Sequence, residues 1–153
     1  IRIVLCDDHQ IIREGLRSLL EKQADMRVVG EGTNGNEAIK LANAHTPDVI
    51  DMDVAMPDLN GIAATRRLRE DQPRLKILAL SMHSDRRYVT GMLAAGATGY
   101  LLKDSAFEEL AQAIRTQRVE DPYSSRKPLP LMNAPQSARS GSAYCRALSS
   151  DQP

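Results

Sequence analysis

Short apolar runs alternate five times with amphipathic stretches, and this alternation constrains the fold more than any other feature of the sequence. The runs are Ile1–Cys6, Arg27–Glu31, Val49–Val54, Lys76–Leu80 and Gly99–Leu102. Three of them lack polar alternation, as strands do when both faces of a parallel sheet are covered. The stretches between them repeat apolar residues at helical spacing. Strict alternation of strands and helices predicts an α/β domain with a parallel sheet and right-handed crossovers.

The number of strands also indicates their order. A doubly wound sheet of five parallel strands is expected to take the flavodoxin-like order 2-1-3-4-5, with helices on both faces. In that order the topological switch point lies between strands 1 and 3. Ligands of such sheets bind outside the carboxyl ends of the strands at the switch point. The alternation therefore predicts the place of a functional site.

The composition changes near the end of the last helical pattern. Residues 119–153 are rich in Ser, Pro, Ala and Arg and have no sustained apolar period. Such a segment buries too little apolar surface to offset the entropy cost of ordering it. We therefore predict one folded domain over residues 1–118 and a disordered tail or linker remnant over residues 119–153.

Charge and cysteine content exclude several classes of protein. The 20 basic and 20 acidic side chains balance, which gives no electrostatic case for binding nucleic acid or membrane with the whole chain. No signal peptide or membrane-spanning segment is recognisable. Cys6 lies in a predicted core strand and Cys145 in the tail, so a structural disulfide is not expected. These features predict a cytoplasmic protein.

Polar residues suited to phosphoryl transfer fall at the predicted carboxyl ends of four strands. Asp7 and Asp8 end strand 1, Asp53 lies near the end of strand 3, Ser81 follows strand 4 and Lys103 follows strand 5. Clustered carboxylates repel one another unless a cation joins them, and Mg²⁺ suits carboxylate and water ligands. With a lysine and a hydroxyl nearby, the site suits transfer of a phosphoryl group to an Asp nucleophile.

Each of these residues also has a simpler interpretation. Asp7, Asp8 and Ser81 stand at strand–helix joins and could be helix N-caps. Asp53 could be a turn residue and Lys103 an ordinary surface lysine. Taken singly, these simpler roles are the commoner ones. The joint occurrence of the residues at four strand ends favours the phosphoryl-transfer site.

Six motifs at the predicted strand ends and in the following helices resemble one known family. They are VLCDDH at 4–9, REGL at 13–16, DVAMPDLNG at 53–61, ALS at 79–81, AAGA at 94–97 and GYLLKD at 99–104. The combination resembles the receiver domain of two-component response regulators. It is most similar to the NarL/FixJ type, which is normally joined to a LuxR-type helix-turn-helix. The resemblance covers about residues 1–117.

The resemblance implies an acceptor and a metal site. Asp53 would accept phosphate from the phosphohistidine of a sensor histidine kinase. Asp8, Asp53 and the Ala55 carbonyl would bind Mg²⁺ directly, and Asp7 would act through a water molecule. A receiver domain of this kind is a phosphoacceptor switch and not a turnover enzyme.

The resemblance also implies a conformational switch. Lys103 would pair with the phosphoryl group, and Ser81 would move to form a hydrogen bond with it. Tyr100 would then turn inward and change the face made by helix 4, strand 5 and helix 5. A homodimer through this face is a further expectation. Pro57 and Gly61 would shape the loop after the acceptor.

Two features depart from the family pattern. Asp51 stands in the central strand where the family usually has an aliphatic residue, and a buried carboxylate without a partner is costly. The second departure is the absence of a helix-turn-helix pattern after Gln117. We therefore expect no DNA binding from this chain itself, and DNA contact only through an output domain that is not recognisable here.

Two other functions fit part of the pattern. Asp51 and Asp53 form the acid-x-acid element of haloacid-dehalogenase-type phosphatases, but that family has the element on its first strand. Here an acid pair precedes it, and the chain is short for a cap and substrate pocket. A receiver-like binding module that is never phosphorylated is the other alternative. Every acceptor-site residue is present, which argues against it, while Asp51 keeps it open.

Overall fold

Strands and helices alternate strictly along residues 1–82 and 85–119, which are the residues that the computed structural model describes. The strands are β1 Arg2–Cys6, β2 Arg27–Gly32, β3 Val49–Asp53, β4 Lys76–Ser81 and β5 Gly99–Leu102. The helices are α1 Gln10–Glu21, α2 Gly35–His45, α3 Gly61–Asp71, α4 Arg86–Ala95 and α5 Lys103–Val119. The predicted alternation is confirmed.

The strands form one parallel sheet in the order β2-β1-β3-β4-β5. The predicted flavodoxin-like α/β fold with strand order 2-1-3-4-5 is therefore correct. β3 is the central strand, because it pairs with β1 on one side and β4 on the other. Its carboxyl end lies at the switch point of the sheet, where the connections turn in opposite directions.

The sheet separates two apolar cores. On one face, side chains of α2, α3 and α4 pack on strand residues that include Met52, Ala79 and Tyr100. On the other face, α1 and α5 cover a set that includes Leu5 and Leu78. Burial of such side chains contributes roughly 1.5–3 kcal/mol each relative to exposure. With both faces covered, every residue of the central strand is buried.

The loop between β3 and α3 folds back tightly against the end of β3. The Gly61 N–H donates a hydrogen bond to the Val54 carbonyl at 3.0 Å. A Cβ atom at Gly61 would lie 2.1 Å from the backbone oxygen of Asp53, so only glycine fits. The loop thereby holds the backbone of the last β3 residue in place. This supports the predicted role of Gly61 in shaping the loop.

The last described helix, α5, marks the end of the described part of the chain. α5 ends at Val119, and residues 120–153 lie outside the described residues, together with the predicted tail and Cys145. Cys6 is buried, and it forms no disulfide within the described residues. Among the helices of the described residues, none is both long and apolar enough to span a membrane.

Candidate functional site

The carboxyl ends of four strands converge as the sequence predicts. β1 is followed directly by Asp7 and Asp8, and Asp53 is the last residue of β3. Ser81 is the last residue of β4 and not the residue after it, whereas Lys103 opens α5 directly after β5. Because parallel strands end at the same edge of the sheet, these residues lie around the switch point.

Lys103 forms a buried ion pair with two of the carboxylates. Its Nζ lies 2.8 Å from Asp7 Oδ2 and 3.0 Å from Asp53 Oδ2. The exposed fractions are 2% for the Lys103 side chain and 4% for each of the two Asp side chains. Removing charges from water is costly, so a buried pair persists only when each charge is met by another. Lys103 is therefore not an ordinary surface lysine.

The site shifts the pKa of both partners. Burial raises the pKa of Asp53 to about 6, the charge of Asp7 adds to the rise, and Lys103 opposes it. Burial lowers the pKa of Lys103, but hydrogen bonds and charges from Asp7 and Asp53 outweigh it and leave this pKa above its ordinary value. The pocket therefore places the Asp53 carboxyl group beside an ammonium group that stabilises its charged form.

His9 belongs to this pocket, although the sequence reasoning gave it no role. Its Nδ1 lies 3.0 Å from Asp7 Oδ1 and 3.2 Å from Asp8 Oδ1. Ligand atoms of Asp7, Asp8, His9 and Asp53 all lie within 4.8 Å of one another, which is close enough for a shared cation. The Asp-Asp-His succession after a buried strand was the only signal in the sequence that could have indicated it.

The simpler role of helix capping is wrong for the residues it concerned. The N-cap of α1 is His9, and the N-cap of α4 is Asp85, whose side chain accepts the Arg87 N–H. Asp7 instead closes a short turn, with Oδ1 accepting the His9 N–H at 2.8 Å. Arg13, which the sequence reasoning also missed, donates from Nη1 to the Asp7 carbonyl at 2.7 Å. Asp53 shows some turn character, since its Oδ1 accepts the Ala55 N–H at 3.3 Å.

Tyr100 already occupies the inward position. The side chain is completely buried in the core formed by α2, α3 and α4. Burial raises the pKa of the Tyr100 phenol, and a hydrogen bond with the Ser81 side chain opposes that rise. The two residues predicted to act in the switch are thus in direct contact.

The comparison with protein families decides the assignment. Residues 3–115 match the response regulator receiver domain family, well over half of the chain. This chain belongs to that family. Receiver domains interact with histidine kinases and bind Mg²⁺ at an acidic pocket, and this receiver domain has a cluster of Asp residues that could hold a metal ion.

Relatives of this receiver domain include a transcriptional regulatory protein and a response regulator protein. It is 44% identical over 115 residues to the transcriptional regulatory protein DegU of Brevibacillus brevis, covering 75% of this chain and 49% of the relative. It is 39% identical over 124 residues to the response regulator protein VraR of Staphylococcus aureus, covering 80% and 59%. The chain therefore spans about half to three fifths of the length of these relatives.

Solved structures agree with the fold and subfamily. A LuxR-family two-component response regulator from Aurantimonas sp. SI85-9A1 is 41% identical, with a TM-score of 0.72 over 75% of this chain and 82% of that one. The signal receiver domain of the putative response regulator NarL from Mycobacterium tuberculosis is 35% identical, with a TM-score of 0.73 over 76% and 94%. The resemblance to the NarL/LuxR type is confirmed.

Asp51 is the residue of this receiver domain that fits the family pattern least. Its side chain is buried in the middle of β3, between Leu5 of β1 and Leu78 of β4 in the register of the sheet. Within residues 1–82 and 85–119, no group forms a hydrogen bond with either carboxylate oxygen. Burial and then the charge of Asp7 hold the pKa of Asp51 well above its ordinary value, and Lys103 only partly opposes them. The prediction of a buried, poorly satisfied acid is confirmed.

Proposed function

We propose that this receiver domain accepts a phosphoryl group on Asp53 from the phosphohistidine of a sensor histidine kinase, with the help of Mg²⁺. The observation that carries the proposal is the position of Asp53 at the end of the central strand, 3.0 Å from Lys103 Nζ. An anionic nucleophile and a cation that can receive the phosphoryl charge thereby meet at the switch point.

The transfer needs little from the protein beyond placement and charge. A carboxylate oxygen of Asp53 forms a bond to phosphorus as the bond from phosphorus to the kinase imidazole breaks, and the imidazole leaves as a neutral base after protonation. Lys103 pairs with a phosphoryl oxygen, and the Ser81 hydroxyl can donate to another. The domain keeps one phosphoryl group for each chain and is proposed to be a switch and not a turnover enzyme.

The three carboxylates are proposed to have different roles in Mg²⁺ binding, as the family pattern suggests. Asp8 is the more accessible, with 34% of its side chain exposed, and is proposed to bind Mg²⁺ directly with Asp53 and the Ala55 carbonyl. Asp7 is already engaged by Lys103 and by the His9 N–H, which supports an indirect role through water. The ion would neutralise the negative charge that gathers during transfer.

The response is proposed to pass through Ser81 and Tyr100. A phosphoryl group that draws Ser81 toward Asp53 would change the contact between these two residues. Tyr100 lies on β5, so the change would reach the face made by α4, β5 and α5 and shift the population of conformations that a partner binds. A homodimer through this face is part of the proposal.

The output is proposed to be transcriptional control. DegU is named a transcriptional regulatory protein, and the chain covers only 49% of it. We therefore propose that DNA contact comes from a separate output domain and not from residues 1–118. A tail over residues 119–153 and a cytoplasmic location are parts of the same proposal.

Labelling with acetyl phosphate tests the proposed switch against a phosphatase built on Asp51 and Asp53. With Mg²⁺ present, the chain should gain the mass of one phosphoryl group and then stop, because a receiver stores the group. A phosphatase would instead release many equivalents of phosphate for each chain. Sustained release, measured by a phosphate assay, contradicts the proposal. Failure of the folded chain to acquire any label contradicts it as well and favours the binding module that is never phosphorylated.

A metal titration tests the proposed ligands. Asp8→Ala should weaken Mg²⁺ binding by about tenfold or more, because a direct ligand is lost, and Asp7→Ala should weaken it less. Asp58→Ala is a matched control, since Asp58 is an exposed acid in the loop after the acceptor. Equal Mg²⁺ affinity in the wild type and Asp8→Ala contradicts the ligand assignment.

A further inference from the structure

The segment that carries Asp7 and Asp8 leads into a helix whose first turn has no side-chain cap. In α2, α3 and α4 the side chain of the N-cap residue accepts a backbone N–H. In α1 the N-cap is His9, and its side chain forms no such hydrogen bond. A cap normally fixes the direction in which the chain enters a helix. The positions of Asp7 and Asp8 therefore depend on other contacts.

Arg13 provides one of these contacts from inside α1. Its Nη1 donates a hydrogen bond to the Asp7 carbonyl at 2.7 Å, and its Nε lies 3.3 Å from Glu31 Oε1 on β2. The Asp7 N–H donates to the Gly32 carbonyl at 3.0 Å, so both polar backbone groups of Asp7 are held. The Asp7 carbonyl belongs to the planar peptide that joins Asp7 to Asp8. Its orientation therefore determines where both carboxylates leave the chain.

A second arginine on α1 shows what is particular to Arg13. Arg17 also pairs with Glu31, but its other partner is Glu21 at the end of the same helix, and 46% of its side chain is exposed. The Arg13 side chain is only 16% exposed. A guanidinium group presents its donors in a fixed fork, so Arg13 can meet the Glu31 carboxylate and the Asp7 carbonyl at the same time.

We propose that Arg13 is a positioning residue for the acceptor pocket, which fixes the peptide between Asp7 and Asp8 so that their carboxylates are placed for Mg²⁺. The inference rests on the proposed function, because it concerns the same metal ligands. Placement and charge predict opposite effects when Arg13 is removed. Loss of a cation near an acidic pocket strengthens the attraction for Mg²⁺, whereas loss of ligand placement weakens binding.

Amide hydrogen exchange of the whole chain, followed by NMR, tests the placement without any metal. The His9 N–H donates to Asp7 Oδ1 at 2.8 Å, so its protection reports whether this segment keeps its place. Arg13→Met should raise its exchange rate by about tenfold, the scale of one lost hydrogen bond, while amides of β3 keep theirs. Arg17→Met is the matched control and should leave the rate unchanged, because Arg17 shares only the partner Glu31. An unchanged rate in Arg13→Met overturns the inference.

A Mg²⁺ titration tests the consequence for the pocket. Arg13→Met should weaken Mg²⁺ binding by about tenfold, the scale of a lost partner of metal ligands. Arg13→Lys should recover part of this loss, because an ammonium group can still donate to the Asp7 carbonyl. At saturating Mg²⁺ the rate of labelling by acetyl phosphate in Arg13→Met should stay within about twofold of the wild type, because the loss is confined to metal binding.

The outcomes separate this inference from the proposed function. Wild-type or tighter Mg²⁺ binding in Arg13→Met, or an equal loss in Arg17→Met, overturns the inference and leaves the proposed function standing. A wild-type chain that binds no Mg²⁺ and acquires no label contradicts the proposed function instead. In that case the exchange rate of the His9 amide still decides whether Arg13 holds the segment before α1.

Discussion

Asp51 and Asp53 are the same residue type on the same strand and the same face of the sheet, yet their surroundings differ. Asp53 ends β3, where Lys103 and the Ala55 N–H reach its carboxylate. Asp51 lies one pleat deeper, beside Leu5 and Leu78, and within the described residues nothing forms a hydrogen bond with it. The end of a parallel strand can be reached by side chains from neighbouring strands and loops, whereas its middle is covered by helices.

The difference shows what makes a buried carboxylate useful. Both pKa values are raised by burial, but that of Asp53 reaches only about 6, because Lys103 and the Ala55 N–H stabilise its charged form. The ionised form, which a nucleophilic carboxylate requires, is therefore disfavoured less at Asp53 than at Asp51. The pKa of Asp51 is held well above its ordinary value, because Lys103 offsets only part of the effect of burial. A partnered acid supports chemistry, while an unpartnered one costs stability.

The largest change in the free energy of unfolding is expected when the ammonium group of Lys103, which lies beside Asp53, is removed. Lys103→Met keeps the length of the side chain but leaves Asp7 and Asp53 buried without a cation. We expect the free energy of unfolding to fall by about 3 kcal/mol at neutral pH, as for other buried pairs that lose one partner. Urea unfolding measures this change.

A second lysine provides the control. Lys22 is exposed at the C-cap of α1, so Lys22→Met should change the stability by less than about 0.5 kcal/mol. Equal losses in the two variants would show that the ion pair at Asp53 adds nothing, and the contrast with Asp51 would disappear.

The next largest effect should come from Asp51 and have the opposite sign. Asp51→Val removes a buried polar group without a hydrogen bond and restores an apolar contact with Leu5 and Leu78. We expect an increase of roughly 1–3 kcal/mol in the free energy of unfolding at neutral pH. Asp51→Asn should gain less, because the amide is also left without partners. A Val variant no more stable than the wild type contradicts the view that Asp51 is poorly satisfied.

The same variant should reveal the raised pKa of Asp51. The native state keeps a proton that the unfolded chain loses above about pH 4, so it binds more protons between that pH and the native pKa. In that window the free energy of unfolding of the wild type decreases as pH rises. The advantage of Asp51→Val should therefore be larger at about pH 7 than at about pH 4.5. An advantage that does not depend on pH contradicts a native pKa above the ordinary one.

The sequence was sufficient to predict the sheet and the acid cluster, because both depend on the spacing of apolar residues and on the order of the strands. It also located Asp51 in the core, since strand alternation fixes the face of each residue. The place of His9 in the pocket could not be predicted, because the position of its ring depends on where α1 begins. Asp7 and Asp8 were both plausible N-caps of α1, as Ser81 was of α4. The inward position of Tyr100 was also beyond prediction, because the orientation of an aromatic ring depends on packing with α4.

The smallest effect is expected from deletion of the predicted tail. Deletion of residues 121–153 should leave the free energy of unfolding within about 0.5 kcal/mol and the phosphorylation unchanged, because surface segments without core contacts contribute little. A large drop in melting temperature after truncation would show that the tail packs on the domain. Such a result would contradict the proposed boundary between the folded domain and the tail.

The position of the phosphoryl group tests the central claim most directly. After treatment with acetyl phosphate and Mg²⁺, reduction with borohydride converts an aspartyl phosphate to homoserine, which peptide fragmentation by mass spectrometry can locate. We expect conversion at Asp53 in the wild type and in Asp51→Val, and none in Asp53→Asn. Conversion at Asp51, Asp7 or Asp8, or unchanged labelling of Asp53→Asn, would contradict the assignment of Asp53 as the acceptor.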